Sequence, residues 1–312
     1  MDSAFYEPVG ADSYLATAAT TGPWSDDAQH GGPPSALVAM AIERHEPDER
    51  QRLARVAVDI LRPVPIGKVS VRVRTVRPGR RVTLVEAVLE ADGQEVLHAR
   101  GWRIERPSGE VPAVPDGDLE PNAVPPAGRG PTPSIFKHAQ RHRQAQRRHQ
   151  AEHHRPAEPH RPAEPHRQGE QHRQGEPDQR EERNEDGELQ LPGYLGHIEW
   201  RFMPEQDTGV RVAWTRPRIP LLAGEEASPM SRALLVADSG SGLGAALPAS
   251  EFIFINVDLN VVLPRDPAGE WLLLESSTIV GSDGTGLATT RLSDQLGACG
   301  RGWQTLLVAP RA

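Results

Sequence analysis

Two polar side chains occupy positions where the pattern of stretch 228–258 calls for apolar residues. A helix predicted to begin near Ser228 repeats apolar residues at the spacing of one buried face, and Asp238 follows at the edge of that face. In the strand predicted over Phe252–Asp258, Asn256 shares its face with two phenylalanines. Because an unpaired buried carboxylate or amide costs free energy, both side chains are candidates for chemistry.

The elements that position these residues belong to the second of two similar stretches. In the first, a helix predicted over Gly31–His45 precedes four strand candidates between Leu53 and Glu105. In the second, strands from residue 196 precede the helix of Asp238, and further strands follow to residue 310. A helix followed by a meander of long antiparallel strands is an α+β pattern, typical of the helix-wrapped sheet called a hotdog.

The two stretches are joined by a segment of different composition. Residues 106–136 are rich in Pro and Gly, and a six-residue repeat (HRPAEP, HRPAEP, HRQGEQ, HRQGEP) runs over 154–177. Eight of the twelve histidines lie in 138–172, and apolar residues are nearly absent, so we predict a disordered insert. Zn or Ni binding by the histidines is one interpretation, and a solvated, repeat-expanded linker is the favoured one. The predicted domains are 1–105, 106–195 and 196–312.

The order of elements suggests an internal duplication. VAVDILRPVPIG at 56–67 parallels INVDLNVVLPRDPAG at 255–269, and ARGWRI at 99–104 parallels GRGWQT at 300–305. The first alignment pairs Asp59 with Asp258, and because these carboxylates occur in both copies we interpret them as structural. The second pairs Trp102 with Trp303, and both are predicted to lie in the core.

The differences between the copies single out three residues. On this alignment Asp238 falls opposite Ala39 or Met40, Asn256 opposite Ala57, and Gln304 opposite Arg103. Polar side chains therefore replace apolar ones at two positions of the second copy, and an amide replaces a cation at the third. This asymmetry favours a site that is built once, in the second half of the chain.

Several motifs resemble the acyl-CoA thioesterase II family of double-hotdog proteins. They are HGGPPSALVAMAIER, EWRF, VADSGSG, INVDLNVVLPRDPAGEW, GSDGTGLA and GRGWQTLLVAPR, and the resemblance covers about 1–105 and 196–312. It implies a double hotdog in which an Asp on the second helix, a Thr before the strand Asp and a Gln on the last strand hold a water against the thioester carbonyl. The Asp falls on Asp238 and the Gln on Gln304, whereas the Thr position carries Asn256.

The resemblance implies a role for each residue. Asp238 would accept a proton from the water or orient it, and the amides of Asn256 and Gln304 would fix the water in place. Backbone N–H groups at Gly31 and Gly32, ahead of the first helix, could stabilise the oxyanion, although HGGPP is equally typical of a plain turn. The substrate would be an acyl-CoA, and no cofactor or metal is implied.

Other functions remain open or are disfavoured. A non-catalytic acyl-CoA-binding or scaffold protein is the main alternative, supported by the change to Asn256. A hydratase or dehydratase would need an Asp/His pair, which the sequence pattern does not indicate. His30 with Ser276 or Ser277 could suggest a Ser-His pair, but no nucleophile-elbow motif surrounds the serines, and GSDGTG at 281–286 is typical of a hairpin turn.

Composition limits the partners and the compartment. The net charge is −8 with no strongly basic half, so nucleic acid is not expected as a partner. The single cysteine, Cys299, excludes an intrachain disulfide framework and a cysteine-based zinc cluster. No signal peptide and no apolar run of the ~18 residues that span a bilayer are recognised. We therefore expect a cytoplasmic protein with no membrane partner, and a homo-oligomer by analogy with other hotdog proteins.

Overall fold

The computed structural model describes residues 3–114, 123–125, 132, 136–137, 191, 193–204 and 208–311. Within these residues the helices are α1 (Gly32–Arg44), α2 (Gly193–Gly196), α3 (Pro229–Ala237) and α4 (Gly240–Leu243). The strands of the first half are β1 (Tyr6–Pro8), β2 (Ser13–Ala16), β3 (Gln51–Ile60), β4 (Lys68–Arg77), β5 (Val82–Ala91) and β6 (Gln94–Glu105). Those of the second half are β7 (Ile198–Phe202), β8 (Arg211–Pro217), β9 (Phe252–Asn256), β10 (Asp258–Val262), β11 (Leu272–Val280), β12 (Thr285–Asp294) and β13 (Gly297–Pro310).

The strands of both halves form one continuous antiparallel sheet. Its order is β1-β2-β4-β5-β6-β3-β10-β13-β12-β11-β8-β7, with β9 also paired to β13. Read outwards from the β3–β10 junction, the two sides carry their strands in the same order. The α+β double hotdog predicted from the sequence is therefore confirmed, and the junction lies on a pseudo-twofold axis.

The strand register corrects the alignment of the two copies. Asp59 and Asp258 do face each other across the junction, as do Val56 and Val261. However, Val56 pairs with Gly101 on β6, and Val261 pairs with the corresponding Gly302 on β13. The axis therefore passes between the two valines, and the equivalence of Asp59 and Asp258 was wrong.

The same register also changes which residue of the first half is equivalent to Asn256. Asn256 lies opposite Leu306, and Gln51 lies opposite Glu105, the residue equivalent to Leu306. The counterpart of Asn256 in the first half is thus the polar Gln51 and not Ala57. The motif alignment matched the two copies by similar residues, whereas the strand register matches them by their positions in the sheet.

The two central helices, α1 and α3, pack against each other. α1 is buried from Gly32 to Ile42, with Pro33 and Pro34 in its first turn, and α3 is nearly as buried. A Cβ atom on Gly32 would lie 2.2 Å from the carbonyl oxygen of Leu235 on α3, so only glycine permits this approach. The Ser231 hydroxyl adds a hydrogen bond of 3.2 Å to the Ala36 carbonyl across the helix pair.

The strand predicted over Phe252–Asp258 is divided into β9 and β10. Opposite β13, three residues (257–259) separate the paired residues Asn256 and Asn260, while two residues separate Leu306 and Trp303. This is a β-bulge with one extra residue, which lets a strand turn and redirects its side chains. The Asp258 carboxylate accepts hydrogen bonds from the backbone N–H of Thr305 at 2.6 Å and its hydroxyl at 3.3 Å, a structural role that stabilises the bulge.

Three other predictions differ from the structure. Trp102 and Trp303 are only partly buried, because the adjacent Gly101 and Gly302 take the positions that face the helices. Tyr194 and Leu195, assigned to the linker, are buried in α2, and Phe136 packs on Trp200 with ring centroids 4.8 Å apart. The sequence of 13–21 also predicts a single strand, but this strand ends at Ala16 and a 3-10 turn follows at Ala18–Thr20.

The histidine-rich repeat, its predicted disorder and its metal-binding interpretation lie outside the described residues. In the part of the chain that is described, no helix is long and apolar enough to cross a membrane. The predicted hairpin at 281–286 is confirmed: it joins β11 to β12, with Gly284 at a φ of 84°.

Candidate active site

Asp238 lies where the helix of the second half is interrupted. Ser228 caps the N-terminus of α3, since its hydroxyl accepts the N–H of Ser231 at 3.1 Å. The helix ends at Ala237, Asp238 and Ser239 form a short break, and α4 begins at Gly240. Asp238 is 5% exposed, so the interruption holds a nearly buried carboxylate between two helices.

Both predicted amides contact this carboxylate. Asn256 Nδ2 donates to Asp238 Oδ1 at 2.6 Å, and Gln304 Nε2 donates to the same oxygen at 3.1 Å. The structure thus brings together three residues that are far apart in the sequence. Charge-assisted hydrogen bonds of this kind stabilise an ionised carboxylate and restrict its rotation.

Gln304 forms two further hydrogen bonds in addition to this one. Its Nε2 also donates to the backbone carbonyl of Asp238 at 3.1 Å, and its Oε1 accepts the N–H of Ser241 at 3.0 Å. The side chain is 1% exposed. Gln304 therefore contacts Asp238 directly, and its expected role in fixing a water stays a prediction.

The second oxygen of the carboxylate faces a histidine that the sequence did not single out for this contact. His30 Nδ1 lies 2.9 Å from Asp238 Oδ2. The expectation that the chain holds no Asp/His pair is thus wrong: the loop before α1 and the end of α3 are brought together by the packing of the two helices. The HGG sequence was the available signal, but it was matched to the serines Ser276 and Ser277 and not to Asp238.

The two contacts of His30 Nδ1 make opposite demands on this nitrogen. An ionised Asp238 offers no proton, so Nδ1 must carry one to donate to it. The N–H of Gly32 lies 3.2 Å from the same nitrogen and can donate to it only when that nitrogen is unprotonated. The two hydrogen bonds therefore exclude each other, since Nδ1 donates to Asp238 only with a proton and accepts from Gly32 only without one.

Gly31 and Gly32 have distinct surroundings. A Cβ atom on Gly31 would lie 2.8 Å from Asp238 Oδ2, so glycine is required there for the carboxylate to approach the N-terminus of α1. Gly32 faces α3 and His30, as described above. Gly31 lines the cavity of the site, whereas the N–H of Gly32 points at the imidazole.

A cavity of about 160 Å³ opens next to this cluster. His30, Asp238 and Asn256 are among the polar residues of its wall. Its apolar wall includes the large side chains of Trp24, Phe136, Leu195 and Phe254. Polar groups that converge on one end of an apolar cavity are typical of a ligand site.

Other candidate groups lie elsewhere. Ser276 is buried and pairs with Thr290, their hydroxyl oxygens 2.9 Å apart, and Ser277 lies near Thr289 on the same two strands, so neither forms a pair with His30. Among the described residues, no three His, Cys, Asp or Glu side chains are placed to hold a metal ion.

The pseudo-twofold axis relates the cluster around Asp238 to a set of residues in the first half. Gly101 faces Ile42 and its equivalent Gly302 faces Ala237, so the residues that follow them, Glu43 and Asp238, correspond. The earlier pairing of Asp238 with Ala39 or Met40 was therefore wrong. A cavity of about 530 Å³ adjoins Glu43, Gln51 and Arg103.

Comparison with protein families identifies the fold and its class. The model of the acyl-CoA thioesterase N-terminal domain matches residues 20–104, and that of the C-terminal domain matches residues 110–308. The chain belongs to the acyl-CoA thioesterase family. It is accordingly a thioester hydrolase, and the predicted resemblance is confirmed.

Solved structures support the same fold for this thioesterase. A putative thioesterase II from Thermobifida fusca is 16% identical, with a TM-score of 0.61 over 98% of this chain and 96% of that one. The acyl-CoA thioesterase II TesB2 from Mycobacterium marinum is 15% identical, with a TM-score of 0.57 over 98% and 96%. A hotdog protein of unknown function from Alicyclobacillus acidocaldarius is 14% identical, with a TM-score of 0.61 over 98% and 95%. A comparison with functionally curated proteins found no significant match.

Proposed function

We propose that this thioesterase hydrolyses an acyl-CoA with a water activated by Asp238. The observation that carries the proposal is the convergence of Asn256, Gln304 and His30 on the two oxygens of one nearly buried carboxylate at the wall of a cavity. A carboxylate held on both sides has one fixed orientation, which a general base requires.

The reaction needs one proton to move. Asp238 takes a proton from the water as its oxygen bonds to the acyl carbon. The C–S bond then breaks, and the proton returns to the departing CoA thiolate, which leaves a free acid and CoA. Asp238 is negatively charged before it takes the proton and again after it has returned it, and a proton on His30 Nδ1, 2.9 Å from Asp238 Oδ2, stabilises this charge.

The two amides have different roles in this proposal. Asn256 lines the cavity and uses one N–H on Asp238, so the rest of its amide is available to the water. Gln304, whose hydrogen bonds end on Asp238 and Ser241, is a positioning residue. For the oxyanion we propose the backbone N–H of Gly31, which lies at the positive N-terminus of α1 and borders the cavity.

The test measures free thiol released from acyl-CoAs of increasing chain length. Wild type is compared with Asp238→Asn, His30→Gln and, as a matched control, Glu43→Gln, which changes the equivalent carboxylate of the first half. Removal of a general base costs about 10²–10⁴ in rate, so Asp238→Asn should lose turnover while the control keeps it.

Three outcomes would contradict parts of the proposal. Full turnover in a folded Asp238→Asn variant would exclude this carboxylate as the base. Binding of every acyl-CoA without thiol release in the wild type would favour an acyl-CoA-binding protein. Conversion of 2-enoyl-CoA to 3-hydroxyacyl-CoA, without thiol release, would assign the Asp238–His30 pair to a hydratase.

A further inference from the structure

Tyr194 connects the histidine of the site to the helix break that carries the carboxylate. Its ring stacks on the imidazole of His30, with centroids 3.8 Å apart and planes inclined by 14°. Its hydroxyl donates to the backbone carbonyl of Leu235 at 2.7 Å and lies 3.0 Å from the Ser239 hydroxyl. Leu235 and Ser239 lie on either side of Asp238 in the sequence, so one side chain contacts both His30 and the backbone segment that carries Asp238.

The Tyr194 side chain is fixed from both halves of the molecule. Its backbone N–H donates to the Thr21 carbonyl at 3.0 Å, and the His30 N–H donates to the neighbouring Thr20 carbonyl at 2.8 Å. Gly193 precedes it with a φ of 53°, and a Cβ atom there would lie 2.4 Å from the Thr21 carbonyl oxygen. The backbone of Tyr194 is therefore anchored to the same loop that carries His30.

The chemistry of Tyr194 excludes a direct role with substrate. The residue is fully buried and does not line the cavity, while His30, Leu195 and Asp238 do. Burial also raises the pKa of its hydroxyl well above the usual value, so the group stays a neutral hydrogen-bond donor. A neutral donor in contact with His30 and with the residues beside Asp238 can orient both side chains, but it cannot accept the proton of a water.

We propose that Tyr194 is a positioning residue for hydrolysis, which holds the imidazole of His30 against Asp238 by stacking and holds the α3–α4 break by its hydroxyl. The inference rests on the proposed role of Asp238. It predicts that the ring face and the hydroxyl contribute separately to kcat. The ring face contacts His30, whereas the hydroxyl contacts Leu235 and Ser239.

Two substitutions separate these contributions. Tyr194→Phe keeps the ring and removes the hydrogen bonds that flank Asp238, whereas Tyr194→Leu also removes the stacking face. Since small misplacements of reacting groups cost up to about 10²-fold in rate, we expect kcat to fall about 10-fold in the first variant and about 10²-fold in the second. KM should stay within about twofold in both variants because the residue does not line the cavity.

The second measurement reads the histidine directly. The ¹⁵N signals of His30 report whether Nδ1 carries the proton; the wild type should show the Nδ1–H form and Tyr194→Leu a mixture with Nε2–H. Tyr14→Phe, which removes another buried tyrosine hydroxyl on β2, is the control for a purely structural effect. It should lower the melting temperature without changing kcat or the His30 signals.

The outcomes distinguish the two proposals. If Asp238→Asn is inactive while both Tyr194 variants keep the wild-type kcat, the positioning role is overturned and the proposed function stands. If kcat falls only as the folded fraction falls, with the His30 signals unchanged, Tyr194 is structural. If Asp238→Asn is active, both proposals fail. Should Tyr194→Leu not fold, Tyr194→Phe carries the test, because its ring can stay stacked.

Discussion

The two halves carry polar residues at the same three positions but direct them differently. In the second half, Asn256 and Gln304 both donate to Asp238. In the first half, the amide of Gln51 donates instead to the carbonyls of Gly79 and Arg80, both at 2.9 Å. Composition alone thus does not distinguish the half that holds the candidate site from the half that does not.

The remaining two positions of the first half also have structural roles. Arg103 donates to backbone carbonyls near the end of α1, those of Ile42, His45 and Glu46, where the helix leaves its last carbonyls without partners. The Glu43 carboxyl bonds to Ser228, the N-cap of α3. A carboxylate becomes a candidate base only where neighbouring donors are free to converge on it.

The largest difference between the halves should appear in turnover. Asp238→Asn is expected to lower kcat by about 10²–10⁴, because a neutral amide cannot take the proton of the water, whereas Glu43→Gln should leave kcat unchanged. Thiol release under saturating acyl-CoA measures both. A loss of kcat in folded Glu43→Gln would show that the comparison of the halves assigns the roles wrongly.

The Arg103 and Gln304 positions should separate stability from activity. Arg103→Leu removes the donors for the α1 carbonyls and should lower the free energy of unfolding by about 2–4 kcal/mol, as buried carbonyls lose hydrogen bonds to a charged group. Gln304→Leu should mainly lower kcat. Urea unfolding and thiol release are measured on both variants, and an equal stability loss with unchanged kcat in Gln304→Leu would remove its positioning role.

Glu43 should make stability depend on pH. Burial raises the pKa of its carboxyl from 4.5 to about 7 in the folded protein, which therefore binds a proton that the unfolded chain has released. The free energy of unfolding should fall as the pH rises from 4.5 to about 7, by up to about 3 kcal/mol. Glu43→Gln should be more stable than wild type at pH 8 and equal to it at pH 4. Parallel stability curves for the two proteins would contradict this.

The smallest effects are expected at Asn256 and at Gln51, its counterpart in the first half. Asn256→Ala should lower kcat about 10-fold, in proportion to one lost positioning hydrogen bond, and Gln51→Ala should cost only about 0.5–1.5 kcal/mol of stability. Asn256→Thr, which restores the hydroxyl expected from the family motif, should retain more activity than Asn256→Ala. Equal rates for these two variants would show that the water does not depend on this side chain.

Local patterns predicted the elements and several contacts well. The helix predicted over Gly31–His45 became α1, and the helix near Ser228 began with the expected cap, because capping and helical periodicity depend on neighbouring residues. Asn256 and Phe254 do line the same cavity, as their shared strand face required. The chemical roles of Asp238, Asn256 and Gln304, and the domain limits, stay predictions.

Other features could not be read from neighbouring residues. His30 lies 208 positions before Asp238 and Tyr194 lies 164 positions after His30, yet the three are in contact. The bulge at 257–259 moved the register by one residue, which changes the residue that faces each side chain. Motif matching made Asp59 and Asp258 equivalent, at an offset of 199 residues, whereas the strand register makes Val56 and Val261 equivalent, at an offset of 205.

The sequence by itself determined which polar residues the chain contains, the alternation that makes each strand two-faced, and the order of elements in two similar halves. These depend on side-chain type and on periods of a few residues. The tertiary structure decided which carboxylate receives the donors. Convergence of His30, Asn256 and Gln304 on Asp238 needs α1 and α3 to pack closely over Gly32 and β13 to lie beside β9, and such long-range contacts are determined only when the whole core is assembled.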